Sequence, residues 1–551
     1  MLVVGVMFCS HADLKYSTEL RGRTGVCCSK PMLTIDTLPD DVFREIFAFC
    51  LACTGGDPRC RIHEWQSLAQ VCNRWQETIY ASLRYLDVFL YISGGDPITE
   101  NLDRWPKLPL VLNHSVSDEQ DDTLYNALAQ RDRICRIKLV MLHSHAYWIE
   151  EPMVEQFPRL THLDLISESK RDYRNVPYVL LDRFLGGSAP SLQHLCIDNF
   201  EYEGLPSFLL SAPNLLSLQI KNIRPTCYES MAPEVIVGAL AGLTKLRDLC
   251  IEFHLSCDFY EKWQSLRTLP SPSLVHAILP ALTKFQIGGD REYFRVLVAS
   301  IDAPRLEDLS VEYREFDGFY EEDEPDGSSE VDANAINVNN LPQFISRTAT
   351  FKHAQFRRAE LTLDHYRTYV KFDLPHGECP QARLSLSVSD EEILAPSYIH
   401  TAPGLSRVLG HLAIMVSDVQ HLSIKGLESQ DKRKRRQTSE IASIWLPLFR
   451  LFPAVDVLHV SRKLAGYVVS TLKGTPEMAA GLLPALQVLG LDECCSEDKL
   501  MMAAEQFLSL RKQAGRPVVI VNTRNRFVKR LNPNQLELYE SPRVPLVRAP
   551  F

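Results

Sequence analysis

An apolar triplet with the spacing L-x-x-L-x-L recurs along most of this chain, and it restricts the fold more than any other feature. Leu160, Leu163 and Leu165 form one copy, in RLTHLDL, and Leu192, Leu195 and Ile197 form the next, in SLQHLCI. Further copies start at Ile134, Leu215, Leu246, Leu282, Leu306, Val419, Val455 and Leu486. Successive starts from Ile134 to Leu306 lie 26, 32, 23, 31, 36 and 24 residues apart, and those from Val419 to Leu486 lie 36 and 31 apart. The second and third anchors alternate with polar residues, as a strand buried on one face requires. Between copies, Pro177–Leu185, Pro233–Leu240 and Phe294–Ser300 carry helical spacing. One strand and one helix per period make a unit that buries its apolar face only against its neighbours, so such units must stack into an array. Pro158, Pro190, Pro213, Pro280, Pro304, Pro453 and Pro484 stand just ahead of seven copies. Each is expected to end the preceding segment and impose an extended start.

Over some 400 residues this pattern resembles the leucine-rich-repeat family. The resemblance implies an α/β fold built as an irregular solenoid, or horseshoe. The family places Asn or Cys three residues after the last anchor. Here Cys494 alone fits, and Glu168, Phe200, His254 and Asp290 stand at that position in other copies. The Asn ladder is therefore expected to be mostly replaced. With the anchors inward, the pairs His162 and Asp164, His194 and Cys196, Ser217 and Gln219, Asp248 and Cys250, and Lys284 and Gln286 face outward. Their mixed polarity names no ligand.

The array weakens between residues 312 and 400. Residues 312–332 are acidic and poor in aliphatics, a composition expected to form an inserted loop. Loop insertions are placed near 312–340 and 426–440. Degenerate strands are expected at Ala359–Asp364 and Leu384–Val388. The expected organisation is a flexible extension at 1–32, a helical domain at 33–90, the array at 105–530 and a tail at 531–551.

Composition narrows the function. The chain has 551 residues, too many for one ordinary core. Its formal net charge of −10 argues against general nucleic-acid binding, which needs an excess of Lys and Arg. Fifteen scattered Cys, an odd number, fit reduced thiols in the cytoplasm or nucleus. The opening MLVVGVMFC is apolar but has no basic residues ahead of it and no clean cleavage site after it, so a secretory leader is not expected. No apolar run is long enough to span a membrane. P-loop, dinucleotide, zinc-protease and nucleophile-elbow motifs are absent, so no catalytic residue, cofactor or metal is assigned. Cys50, Cys53, Cys60 and His63 are zinc-ligand types, but Cys50 also belongs to an apolar helical face, where Cys acts as a small hydrophobe. The basic run Lys432, Arg433, Lys434, Arg435 and Arg436 is a candidate nuclear-import signal, or else a solvated loop.

The first convincing helix starts at TLPDDVFREIF, residues 37–47. Pro39 suits a first helical turn, and Asp40 and Asp41 suit the positive end of the helix dipole. Val42, Phe43, Ile46, Phe47, Cys50 and Leu51 then fall on one side. A second helix is expected from Glu64, with Leu68, Val71, Cys72, Trp75 and Ile79 as one stripe, followed by a strand at Tyr85–Ile92. Two short helices make a poor independent core, so the segment needs a surface to dock on.

Leu38 to Phe47, followed by Leu68-Ala69-Gln70-Val71-Cys72-Asn73-Arg74-Trp75, resembles an F-box. The connection between the halves is longer than is usual, and Val42-Phe43 stands where Leu-Leu is common. F-box and repeats together imply a substrate receptor of SCF (Skp–cullin–F-box) ubiquitin ligases, a non-catalytic adaptor. By matching positions, Leu38, Pro39, Ile46, Phe47, Leu68, Val71, Cys72 and Trp75 are expected to form or support the surface that binds the Skp adaptor, and through it a cullin. The repeats are expected to hold a protein substrate. The alternative is a leucine-rich-repeat scaffold that assembles partners without ubiquitin chemistry.

Overall fold

The computed structural model describes residues 37–52, 65–82, 89–92, 108–116, 122–168, 178–223, 232–253, 276–289, 291–314, 340–352, 354–363, 367–373, 382–389, 398–426, 445–472, 481–491 and 498–522. The chain divides into two compact units, Met1–Phe89 and Leu90–Phe551. Leu90, the last residue of the domain expected at 33–90, thus opens the second unit.

Alternating anchors make strands wherever the triplet occurs. Among the described residues, one sheet of the second unit has 16 strands. In chain order they are β1 (Leu90–Ile92), β2 (Leu110–Val116), β3 (Ile134–Leu142), β4 (His162–Glu168), β5 (His194–Asp198), β6 (Ser217–Ile223), β7 (Asp248–Phe253) and β8 (Lys284–Gly289). The rest are β9 (Asp308–Arg314), β10 (Arg358–Leu363), β11 (Arg367–Asp373), β12 (Arg383–Ser389), β13 (His421–Gly426), β14 (Val457–Val460), β15 (Val488–Leu491) and β16 (Val519–Asn522). In space the order runs β1 to β9, then β12, β11, β10, then β13 to β16. Neighbours are parallel except at β11, which runs against β10 and β12. β1 and β16 have one neighbour each, so the sheet is open. The unit is a mixed α/β fold on a mostly parallel sheet.

Register follows the anchors. Ile137, Leu163, Leu195, Leu218, Leu249, Phe285 and Leu309 align strand to strand, and so do Leu139, Leu165, Ile197, Ile220, Ile251, Ile287 and Val311. All are buried. A slip of one residue would turn a whole row to the opposite face, so each triplet enforces the pairing of the next. The degenerate strands appear as β10 and β12, and their anchors Leu361 and Leu386 are buried as well. β11, lying between them, has no triplet and escaped the sequence pattern.

The prolines act differently from expectation. In the copies that a proline precedes, the first anchor donates its N–H three residues back: Leu160 to Phe157 O at 3.1 Å, Leu215 to Ala212 O at 3.2 Å, Leu306 to Ala303 O at 3.2 Å. Pro158, Pro213 and Pro304 therefore sit second in a four-residue turn, where a fixed φ near −65° is already correct. They start a turn rather than an extended segment.

The positions after the strands also depart from expectation. Asn199, Asn222 and Gly289 all lie two residues past the third anchor, and have φ of 60°, 51° and 126°. Asn and Gly tolerate that left-handed backbone. Asn199 Nδ2 donates to Ser167 O at 3.1 Å, and Asn222 Nδ2 donates to Asp198 Oδ1 at 2.7 Å. The bonding Asn thus stands one place earlier than the family pattern would put it.

Pro233–Leu240 is helical as expected, and Phe294–Ser300 lies within the helix Arg291–Ser300. The described part of the helical segment expected at Pro177–Leu185, residues 178–185, is not an α-helix. Tyr178–Leu180 is a strand paired with Phe200–Tyr202, and Phe184–Gly187 is a 3-10 turn containing three consecutive residues of positive φ.

The first unit holds α1 (Asp40–Ala52), a helical turn at 65–69 and α2 (Asn73–Ala81). The second helix expected from Glu64 is interrupted, because Cys72 is extended at φ −162°, ψ 165°. Pro39 lies just before α1, and its carbonyl accepts from Val42 and Phe43 N–H at 3.1 and 3.2 Å. Phe43, Phe47 and Leu51 on α1 are buried, as are Trp65, Ala69, Trp75 and Ile79, and Phe43 and Phe47 both pack on Trp75.

The extension at 1–32, most of 312–340, the insertion after Gly426, the tail at 531–551, Lys432–Arg436, Cys53, Cys60, His63 and Cys494 lie outside the described residues.

Candidate binding surfaces

α1 carries two apolar faces. Phe43, Phe47 and Leu51 recur at i, i+4 and i+8 and form the buried one. Val42, Ile46 and Phe49 recur at i, i+4 and i+7 about 120° away, given 100° per residue. Phe49 is 58% exposed, Val42 is 37% exposed, and Ile46 is half-buried. The single stripe read from the sequence is therefore two, and burial separates Val42 from Phe43.

The inner face is held by aromatic packing. The Phe47 and Trp75 ring centroids are 5.0 Å apart, and Phe43 lies 5.8 Å from Phe47 and 5.7 Å from Trp75. Arg74 fixes the start of α1. Its Nη2 donates to Leu38 O at 2.6 Å and to Asp40 Oδ1 at 2.8 Å, and its guanidinium carbon lies 4.8 Å from the Phe43 ring centre. One side chain thus holds the Leu-Pro segment, the acidic first turn and the aromatic core together.

The eight residues expected at an adaptor surface separate accordingly. Pro39, Val71 and Cys72 are exposed, Val71 at 59%. Leu38, Ile46 and Leu68 are half-buried. Phe47 and Trp75 are buried, so they lie beneath any such surface rather than on it. Val42 and Phe49 belong to the exposed set and were not selected from the sequence. Only the split of the helix into two faces identifies them.

The second surface is the outward face of the sheet. His162 and His194 are register partners with rings stacked at 4.2 Å, and Asp164 pairs with Cys196 beside them. Thr161 Oγ1 donates to Cys135 O at 2.9 Å and lies 2.9 Å from His162 Nδ1. Since the hydroxyl proton is committed to the carbonyl, Nδ1–H of neutral His162 donates to Thr161, leaving Nε2 as an acceptor. Burial, then His194 and Arg136, push the His162 pKa down to about 4. Burial raises Asp164 against the opposing pull of Lys138, His194 and Lys221. The Cys196 and Cys250 thiols are pushed up to about 12, burial first and then nearby carboxylates.

Further along, Gln286 Nε2 donates to Glu252 Oε1 at 2.7 Å. Arg367 Nη2 pairs with Glu312 Oε1 at 2.6 Å. Lys425 pairs with Glu360 at 2.7 Å and Lys371 with Asp373 at 3.3 Å. Among the described residues no three His, Cys, Asp or Glu side chains are arranged to hold a metal ion, and no helix is long and apolar enough to cross a membrane. No protein-family model and no curated protein matches the chain.

Proposed function

We propose that this chain is the substrate-recognition subunit of an SCF-type ubiquitin ligase. In this reading the first unit is an F-box that docks the Skp adaptor, and the second is a degenerate leucine-rich-repeat solenoid that holds a protein substrate. Neither end performs chemistry. The observation that carries the reading is the second apolar face of α1. Val42, Ile46 and Phe49 present hydrocarbon away from a core that Phe43, Phe47 and Trp75 already fill. Exposed Val71 and Cys72 fall in the motif's second half. An amphipathic helix with an apolar face left over suits docking into a groove on a partner. In the second unit, in-register triplets and one open polar sheet face support a stacked array that binds by its surface. The cytoplasm or nucleus is the compartment this function requires.

The test is a pull-down of the full chain with the Skp adaptor, wild type against Pro39→Ala combined with Ile46→Ala. The expected result is capture by wild type and its loss in the double variant. Failure of the wild type to bind would leave the repeat scaffold as the better reading.

A further inference from the structure

We propose that the outward sheet face across β12, β11, β10 and β13 binds an acidic peptide segment of a protein partner. The inference rests on the sheet face being a capture surface, but not on α1 or the adaptor.

The argument is charge complementarity. On β3 to β9 outward acids outnumber outward Lys and Arg. On the next four strands the balance reverses. Arg383, Arg367, Lys371, Arg358 and Lys425 face outward there with only Glu360 and Asp373 as acids, a formal +3 within a chain of net −10. Arg358, Arg367, Arg383 and Lys425 are exposed.

Internal pairing does not exhaust these charges. Glu312, Asp373 and Glu360 engage Arg367, Lys371 and Lys425 respectively. Arg358 and Arg383 flank Asp373 in register and form no ion pair among the described residues. Between the cations lie Ser385, Ser387, Tyr369 and Ser423, so the floor is hydroxyl-rich. Guanidinium forks above hydroxyl donors suit carboxylates or phosphates.

The dimensions fit a peptide. Four strands at a spacing of ~4.8 Å span ~14 Å, the reach of about four extended residues. Acids interleaved with the cations disfavour the continuous phosphate backbone of a nucleic acid, which rewards an unbroken basic track. The reversal of charge coincides with the place where strand order reverses, and β12, β11 and β13 each contribute a net +1 to it.

The experiment uses the full chain and a fluorescein-labelled oligo-glutamate peptide of about ten residues, more than twice the patch's span. Anisotropy should report binding at about 50 mM salt that weakens several-fold by about 200 mM. Arg358→Glu with Arg383→Glu should weaken it at least tenfold, and Arg358→Gln with Arg383→Gln to an intermediate degree. Lys284→Glu, on the acidic part of the same face, should change it less than twofold. Circular dichroism checks that each variant is folded, and the glutamine pair decides if the glutamate pair is not. No binding by wild type, or equal loss in Lys284→Glu, overturns the proposal. So does duplex DNA binding as tightly as the peptide. Binding seen only after deletion of the chain's own acidic residues 315–332 would assign the face to that segment and also overturn it. Adaptor capture is read separately, so either result leaves the other proposal standing or falling by itself.

Discussion

Replacing Phe47 and Phe49 by Ala, one at a time, tests the two-faced helix directly. The residues are two apart on α1, yet Phe47 is fully buried and Phe49 is 58% exposed. Phe47 contacts both Phe43 and Trp75. Removing a buried Phe side chain costs about 3–5 kcal/mol, combining lost transfer energy and a cavity. A unit with so small a core has only a few kcal/mol to lose, so Phe47→Ala should unfold it outright. Phe49→Ala removes a ring that is mostly in water, and should change stability by no more than about 0.5 kcal/mol. Amide hydrogen exchange of α1 within the full chain separates the cases. Protection should collapse in Phe47→Ala and stay within about threefold of wild type in Phe49→Ala. Adaptor capture should be lost in both, by unfolding in one and by removal of a contact of ~2 kcal/mol in the other. If Phe49→Ala loses helix protection, the outer face is a core face and the reasoning fails. If Phe49→Ala keeps both protection and full adaptor capture, the outer face is not the docking surface.

Other consequences follow from single positions. Arg74→Ala should cost about 1–2 kcal/mol of local stability, because it removes a charged hydrogen bond, a half-exposed ion pair and a ring contact together; exchange in α1 would register it, and Arg74→Lys should recover part. Gly289→Ala should destabilise the sheet by roughly 1–3 kcal/mol from conformation alone, since φ is 126° and the added carbon would meet the Phe253 carbonyl. Urea unfolding followed in the second unit would show it, whereas Gly490→Ala has no positive φ and meets the His459 side chain rather than backbone, so it should cost less. The His162 pKa lies near 4 in the fold against 6.5 unfolded, so the unfolded chain takes up the proton first as pH falls. Its contribution to stability is therefore full above 6.5 and lost as pH drops towards 4; an imidazole titration by NMR with its midpoint near 6.5 would refute this. With thiols at about 12, Cys196 and Cys250 should resist iodoacetamide in the native state while exposed Cys72 reacts, which mass spectrometry of the alkylated peptides would reveal.

The strand rows were legible in the sequence because a triplet states both the strand and its buried face. Leu218 reads as inward whatever its neighbours do, and Ile220 confirms the period. β11 was not legible for the same reason in reverse. Thr368, Val370 and Phe372 alternate well, but no first anchor or proline turn marks them as part of a stacked unit. Turn chemistry was legible as punctuation but not as geometry. Pro158 announces a break, and only the Leu160 N–H to Phe157 O bond tells a turn from an extended start. On α1, periodicity gave one broad stripe, because apolar residues at 42, 43, 46, 47, 50 and 51 leave no polar gap between the faces. The hydrophobic pattern is silent about which part of a wide stripe its own core consumes. Trp75 decides it, by occupying the Phe43–Phe47 side and leaving Val42 and Phe49 over.

The same logic separates what pairing explains on the sheet face from what it leaves unexplained. Opposite charges on neighbouring strands support one another by a few tenths of a kcal/mol to ~1 kcal/mol, so Lys425 with Glu360 needs no ligand to account for it. A like account fails for Arg358 and Arg383, since their shared neighbour Asp373 is already engaged by Lys371. Exposed arginines cost little to keep solvated, and stability alone does not require them there. What distinguishes these two is that they share one register position, either side of Asp373, on a patch whose charge is opposite to that of the whole chain. Solubility depends on net charge and is served by both signs interspersed, so it gives no reason for cations to gather on four neighbouring strands. Local reversal instead lowers the repulsion that an acidic partner meets on approach, and lowers it only over β10 to β13. Charge reversal at these two positions should therefore slow association with an acidic peptide more than it speeds dissociation, with the difference shrinking as salt rises. Equal effects on both rates at every salt concentration would mean that the arginines do not steer the encounter.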